Sequence, residues 1–132
     1  MVEYEYIFGK HAVSEALAQR PDVVKQILLD ENFSDEKIMR QIGNANLVPK
    51  LLNTKNPPRG ISANAAHQGI VAAILPEKLM VDFKDFINKL TITPDTALLI
   101  LGEVQDPHNV GAVIRSAAAF GLAGVLIPPH NQ

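Results

Sequence analysis

Residues 97–127 constrain the fold more than any other stretch. An apolar run, Ala97 to Leu101, gives way to a polar loop at 102–109. A small-residue helical segment follows at 110–120, then a stop at Gly121 and a second apolar run at 124–127. Strand, helix and strand at these lengths make one β-α-β crossover, which requires the two strands to lie parallel. Parallel strands are covered by helices on both faces, and two strands with one helix cannot supply that cover. The chain stops at Gln132, directly after the second strand. The unit therefore reads as unfinished. A piece of a longer protein is the preferred expectation, and completion by a partner is the other.

The N-terminal half carries a different set of periodicities. His11 to Gln19 has apolar residues at 12, 13, 16 and 17, a helical spacing, and stops before Arg20-Pro21. Val23 to Leu29 is short and strand-like. Ser34 is a candidate N-cap for a helix through about Ile42, with Asp35 and Glu36 in its first turn and Gly43-Asn44 as its end. Leu47 to Leu52 reads as a strand that Pro49 confines to an edge. Asn53 to Ala66, with Pro57-Pro58 and Arg59-Gly60, is a loop. Gly69 to Leu75 is a strand apolar enough to be buried on both faces. A connector, 77–96, holds one amphipathic helix over 81–90, with Phe83, Phe86, Ile87 and Leu90 on its stripe. The expected organisation is residues 1–76 as one domain, 77–96 as a linker and 97–132 as the start of a second domain, all of α/β class.

Charge is unevenly distributed. The formal net charge is -2, yet Lys37, Arg40, Lys50, Lys55 and Arg59 fall in a segment, 37–75, without Asp or Glu. Such a segment fits either a polyanion-binding face or a solvated surface. The chain has no cysteine, hence no disulfide framework and no thiolate nucleophile or metal site. The four histidines lack ligand spacing, so no metal is expected. No run of about 18 apolar residues is present to cross a bilayer. The first residues do not read as a signal peptide. A cytoplasmic protein without membrane contact is the default expectation.

The polar loop carries the chemistry. In open α/β sheets ligands bind beyond the carboxyl ends of the strands, where this loop sits. Asp106-Pro107 favours a turn, Asn109 can cap the helix, and Gly111 leaves the first turn open to close approach. Helical side chains lean toward the N-terminus, so Arg115 can reach back to the loop. Val110, Val113, Ile114, Ala117 and Ala118 form the stripe expected to pack on the sheet. These residues fit a helix cap with a surface charge; they also fit a site for an anion or ribose phosphate.

Asp106-Pro107-His108-Asn109-Val110-Gly111, followed by Arg115 and Ala118-Ala119-Phe120-Gly121, resembles the first signature motif of the SpoU (TrmH) RNA ribose 2′-O-methyltransferases, members of the knotted SPOUT class. "IFGKHAVSEAL" at 7–17 and "HQGIVAAI" at 67–74 resemble the opening and closing of the small substrate-binding domain of that family, which is similar to ribosomal protein L30e. The resemblance implies an L30e-like α/β/α domain followed by the first β-α-β unit of an incomplete knotted methyltransferase domain. It implies methyl transfer from S-adenosylmethionine to a ribose 2′-hydroxyl of RNA, ribosomal and 23S by preference. Asn109 and Arg115 match the motif's active-site positions, with Glu103 on the rim of the same loop. A guanidinium stays protonated at neutral pH and is a poor base, so Arg115 would act on the developing alkoxide or the adjacent phosphate.

The family's later motifs, which build the cofactor loops and the knot, have no counterpart before Gln132. The expectation is that this chain alone neither binds S-adenosylmethionine nor methylates RNA, and that the complete protein is a homodimer. The N-terminal domain would grip RNA through Lys50, Lys55 and Arg59, with Lys10, His67 and Gln68 as further candidates. The alternatives are a stand-alone RNA-binding module without a catalytic role and, less well supported by a loop with glycines only at its ends, another nucleotide-binding α/β enzyme.

Overall fold

A computed structural model describes residues 4–62, 64–102 and 107–128. The chain divides into two units, residues 1–81 and 82–132. In the first, β1 (Glu5–Phe8), α1 (Lys10–Gln19), β2 (Val24–Leu29), α2 (Glu36–Asn44), β3 (Lys50–Leu51) and β4 (Ile70–Ile74) follow in order. The sheet order is β1-β4-β2-β3. β4 lies at its centre, antiparallel to both neighbours, with Ala72 opposite Ile7 on one side and Ile27 on the other. β3 pairs only with β2, in parallel, so Pro49 precedes an edge strand.

All five residues of β4 are buried, because apolar clusters lie on both faces of the sheet. Ile70, Ala72 and Ile74 meet Val13 and Leu17 of α1, Ile38 and Ile42 of α2, and Ile27 of β2. On the other face Val71 packs with Leu52 and Ile61. The expectation of a strand buried on both sides holds, although its partners are antiparallel. β1 lies in a segment for which no strand was expected. Its Glu5 is charged, and alternation is short in four residues, but pairing with β4 satisfies its backbone.

Both ends of α2 differ from expectation. Asp35 caps α2 in place of Ser34, its Oδ1 accepting from the Ile38 N–H. The helix runs through Gly43-Asn44 and ends where Asn46 takes a φ of +54°. There the Asn46 and Leu47 N–H groups donate to Gly43 and Ile42 carbonyls, a Schellman closure.

The second unit holds α3 (Phe83–Lys89), β5 (Leu98–Ile100), α4 (Pro107–Ala119) and β6 (Gly124–Leu126). β5 and β6 pair in parallel, Leu99 opposite Val125, as the crossover requires. α3, expected within a connector, belongs to this unit, and its Phe86 ring lies directly over Gly124. α4 starts at Pro107, three residues before the expected position. Proline suits the first helical turn because its missing N–H has no partner to lose there. The helix ends at Gly121, φ +71°, with Leu122 N–H donating to Ala117 and Gly121 N–H to Ala118.

Candidate functional site

In the second unit, the earlier start of α4 changes the role of Asn109. It is the third helical residue rather than the cap, and its side chain is exposed. Glu103 and Asp106 lie outside the described residues. Arg115 is exposed, and its guanidinium folds back along the helix: Nη1 sits 3.3 Å from where a β-carbon on Gly111 would be. Glycine at 111 therefore makes room for that cation beside the N-terminal turns. Six residues separate Asn109 from Arg115, which is about 9 Å of rise and about two-thirds of a turn beyond a full one. The two side chains do not share a stripe. It is the backward lean of Arg115 that brings its charge toward the level of Asn109.

The stripe that packs is narrower than expected. Ala117 is buried and Val110 and Val113 are half-buried, while Ile114 and Ala118 are exposed. Leu101, at the carboxyl end of β5, is buried and donates its N–H to Leu126 O.

The first unit carries a second candidate site, and its topology explains why. β1, β2 and β3 all end, and β4 begins, at one end of the sheet. The segments 9–10, 30–34 and 67–69 meet there around a cavity of about 330 Å³, lined by Lys10, Asp30, Phe33, His67 and Gln68 among others. Gln68 Oε1 accepts from the Lys10 backbone N–H at 2.9 Å, and His67 Nδ1 accepts from the Gly69 N–H at 3.0 Å. An accepting Nδ1 carries no proton, so the ring's hydrogen is on Nε2, available as a donor. Gln68 has a φ of +53°, a conformation uncommon outside glycine. Gly69 has φ +78°, and a β-carbon there would come 3.3 Å from both Asp30 Cβ and Phe33 Cδ2. Only glycine lets β4 start this close to the turn after β2.

Lys10 Nζ pairs with Asp35 Oδ2 at 3.4 Å and lies 5.4 Å from the centre of the Phe33 ring. The Ile38 N–H, followed by Lys10, holds Asp35 below the usual carboxylate range against a smaller effect of burial. Of the residues expected to contact RNA, the structure gathers Lys10, His67 and Gln68 at this cavity. Lys50, Lys55 and Arg59 do not line it. Lys50 is on the edge strand, Lys55 is in a turn whose Asn53 side chain accepts from the Lys55 and Asn56 N–H groups, and Arg59 precedes Gly60. All three are exposed, and among the described residues none forms an ion pair. Sequence reasoning missed Asp30, Asn32 and Phe33. Their signal was an isolated aromatic in the polar turn Asp30-Glu31-Asn32-Phe33-Ser34 that follows a buried strand.

Comparison with known proteins covers both units. The family model for "RNA 2′-O ribose methyltransferase substrate binding" matches residues 6–80, more than half of the chain. That for the "SpoU rRNA Methylase family" matches residues 96–132. The chain belongs to the SpoU family of RNA 2′-O-ribose methyltransferases. This SpoU chain is 32% identical over 130 residues to the 23S rRNA (guanosine-2′-O-)-methyltransferase RlmB of Nitrosomonas europaea, covering 97% of its own length and 49% of that protein. Two solved structures share its mixed α/β fold. One is an RNA 2′-O ribose methyltransferase, with a TM-score of 0.62 at 22% identity, over 99% of this chain and 47% of that one. The other is the SpoU methyltransferase AviRb of Streptomyces viridochromogenes in complex with AdoMet, with a TM-score of 0.60 at 21% identity, over 94% and 44%. The SpoU chain thus spans about half the length of the curated relatives it matches. Among its described residues no helix is long and apolar enough to cross a membrane.

Proposed function

We propose that this chain supplies the RNA-gripping domain and the first part of the methyl-transfer domain of a ribosomal RNA ribose 2′-O-methyltransferase, acting on 23S rRNA. In this reading the first unit holds the RNA, with Lys50, Lys55 and Arg59 on its phosphates. The start of α4 addresses the ribose being modified, with Asn109 and Arg115 as its contacts and Glu103 on the loop rim. The observation that carries the reading is the guanidinium of Arg115 laid back over Gly111. A cation turned back toward a helix N-terminus suits an alkoxide forming on the 2′-oxygen, or the phosphate next to it. Arg115 holds charge and does not take the proton.

The implied cofactor is S-adenosylmethionine. The described residues of the second unit fit its binding poorly. β5, β6 and α4 offer an amide, a guanidinium and open apolar side chains, with neither an enclosed slot for adenine nor a carboxylate for ribose hydroxyls. They match the RNA backbone instead. In this reading the complete protein works in the cytoplasm as a homodimer, without membrane contact.

Arg115→Ala in the full-length protein, assayed by transfer of a labelled methyl group to an rRNA fragment, should lower the rate constant by about 10²–10³-fold. RNA affinity should stay close to wild type. Unchanged methylation overturns the catalytic part of the reading and favours a stand-alone RNA-binding module. Changing Lys50, Lys55 and Arg59 together to Glu should weaken binding to all RNA sequences and flatten its salt dependence by about two to three units of slope. Unaltered binding removes those three residues from the interface.

A further inference from the structure

We propose that the cavity at the sheet end of the first unit receives the base of one unpaired RNA nucleotide. Phe33 serves as its platform, Asp30 as the acceptor for its edge and Lys10 as the contact to its phosphate. The proposal rests on the RNA-binding reading above and deepens it, because it names the form of RNA and the residues that read it.

Four observations lead to it. The cavity holds about 330 Å³, at the small end of ligand pockets, enough for one nucleoside. Paired bases show only their edges in the grooves, so a duplex cannot lower a base into such a recess, whereas unstacked bases in loops can be splayed onto an aromatic ring. Phe33 is the aromatic ring in the lining, partly buried against the core and therefore held in place.

The polar lining holds both one cation, Lys10, and one carboxylate, Asp30. Asp30 offers a carboxylate that already accepts from the Asn32 N–H and has lone pairs to spare. That charge argues against a bare phosphate inside the cavity and for a base edge bearing N–H groups. Nearby donors are His67 Nε2–H and the Gln68 amide nitrogen, whose oxygen is taken by Lys10 N–H. Guanine, with two adjacent N–H donors for the carboxylate and a carbonyl oxygen for the donors, matches these kinds of groups best, and uracil, with one donor, matches less well.

Lys10 closes the argument. Its ammonium rests near the Phe33 ring and is held by a partly exposed ion pair at 3.4 Å, a contact that solvent weakens. A base arriving on the ring displaces the ammonium, which then meets the phosphate of the same nucleotide.

The test uses the whole chain and three probes followed by fluorescence anisotropy: a short uridine strand, the same strand with one central guanosine, and that strand in a duplex. The expected order of affinity is guanosine strand, uridine strand, duplex. Phe33→Leu keeps an apolar contact with the core but loses the flat face, and should weaken single-strand binding by about tenfold while sparing the duplex. Asp30→Asn should erase the preference for guanosine over uridine. If Phe33→Leu fails to fold by circular dichroism, the base preference of Asp30→Asn decides alone. Wild-type discrimination in both variants, alongside lost binding in the Lys50, Lys55 and Arg59 triple variant, overturns the cavity proposal and leaves the RNA-binding reading intact. A wild-type chain that binds none of the three probes overturns both.

Discussion

In the first unit a four-stranded sheet lies under two helices, and ten residues from Val13 to Ile74 form one continuous buried cluster. In the second, two strands and the helix between them bury Leu101 and Ala117 fully among the described residues. Ile100 and Phe120 stand 67% and 84% exposed. Both units are rich in apolar residues; they differ in how many layers surround them. A central strand with partners on both sides and clusters on both faces keeps its side chains dry. A two-stranded sheet has open edges and keeps apolar side chains in water. The consequence reaches the sites. The first unit can hold its cavity in a fixed shape, left-handed residues included, because a closed core stands behind it. The second presents Asn109 and Arg115 on an exposed helix whose anchoring is thin.

The largest test of that contrast is the core itself. Ile27, fully buried in β2, should cost about 2–5 kcal/mol as Ile27→Ala. Leu98→Ala, at a side chain already 37% exposed, should cost far less by urea denaturation. Amides of β4 should exchange with solvent much more slowly than those of β5 and β6. Equal costs or equal protection would break the comparison.

A smaller effect sharpens it from the other side. Phe86 packs against Gly124, where a β-carbon would lie 2.6 Å from the ring. Gly124→Ala should destabilise that unit by about 1–3 kcal/mol, and Phe86→Leu should relieve it. No change in melting would mean that α3 is not anchored there. Gly69→Ala, at φ +78°, should cost the first unit about 1–2 kcal/mol.

The least of these effects depends on pH. Asp35 sits below its ordinary pKa because the Ile38 N–H, with help from Lys10, favours its charged form. A carboxylate lowered on folding adds stability that is complete above its unfolded value, about 4, and is lost as pH falls through the lower folded one. Thermal melts of wild type and Asp35→Asn should therefore differ at neutral pH and converge below about pH 4. A constant difference across that range would remove the charge from the account of this cap.

Elements with a clear period were legible from residues alone: α1 from its spacing at 12, 13, 16 and 17, β4 from its unbroken apolar run, and the crossover from strand, loop, helix and strand. β1 was missed because four residues with a glutamate carry too little alternation to stand out. The cap of α2 was placed one residue early because Ser34 and Asp35 are both able caps, and only backbone geometry chooses between them. At the sites, the residue types were readable and their grouping was not. Lys10, His67 and Gln68 are far apart in sequence, and Phe33 gave no periodic signal.

The sequence by itself determined the α/β class and the parallel pairing of β5 and β6, because local spacing and residue type fix these. Only the tertiary structure decided that β1, β2 and β3 end where β4 begins, so that three distant segments border one open recess. It also moved Asn109 inside α4 and laid Arg115 over Gly111. Strand order and helix start depend on which distant groups satisfy each other's hydrogen bonds and apolar surface, and no local pattern records that choice.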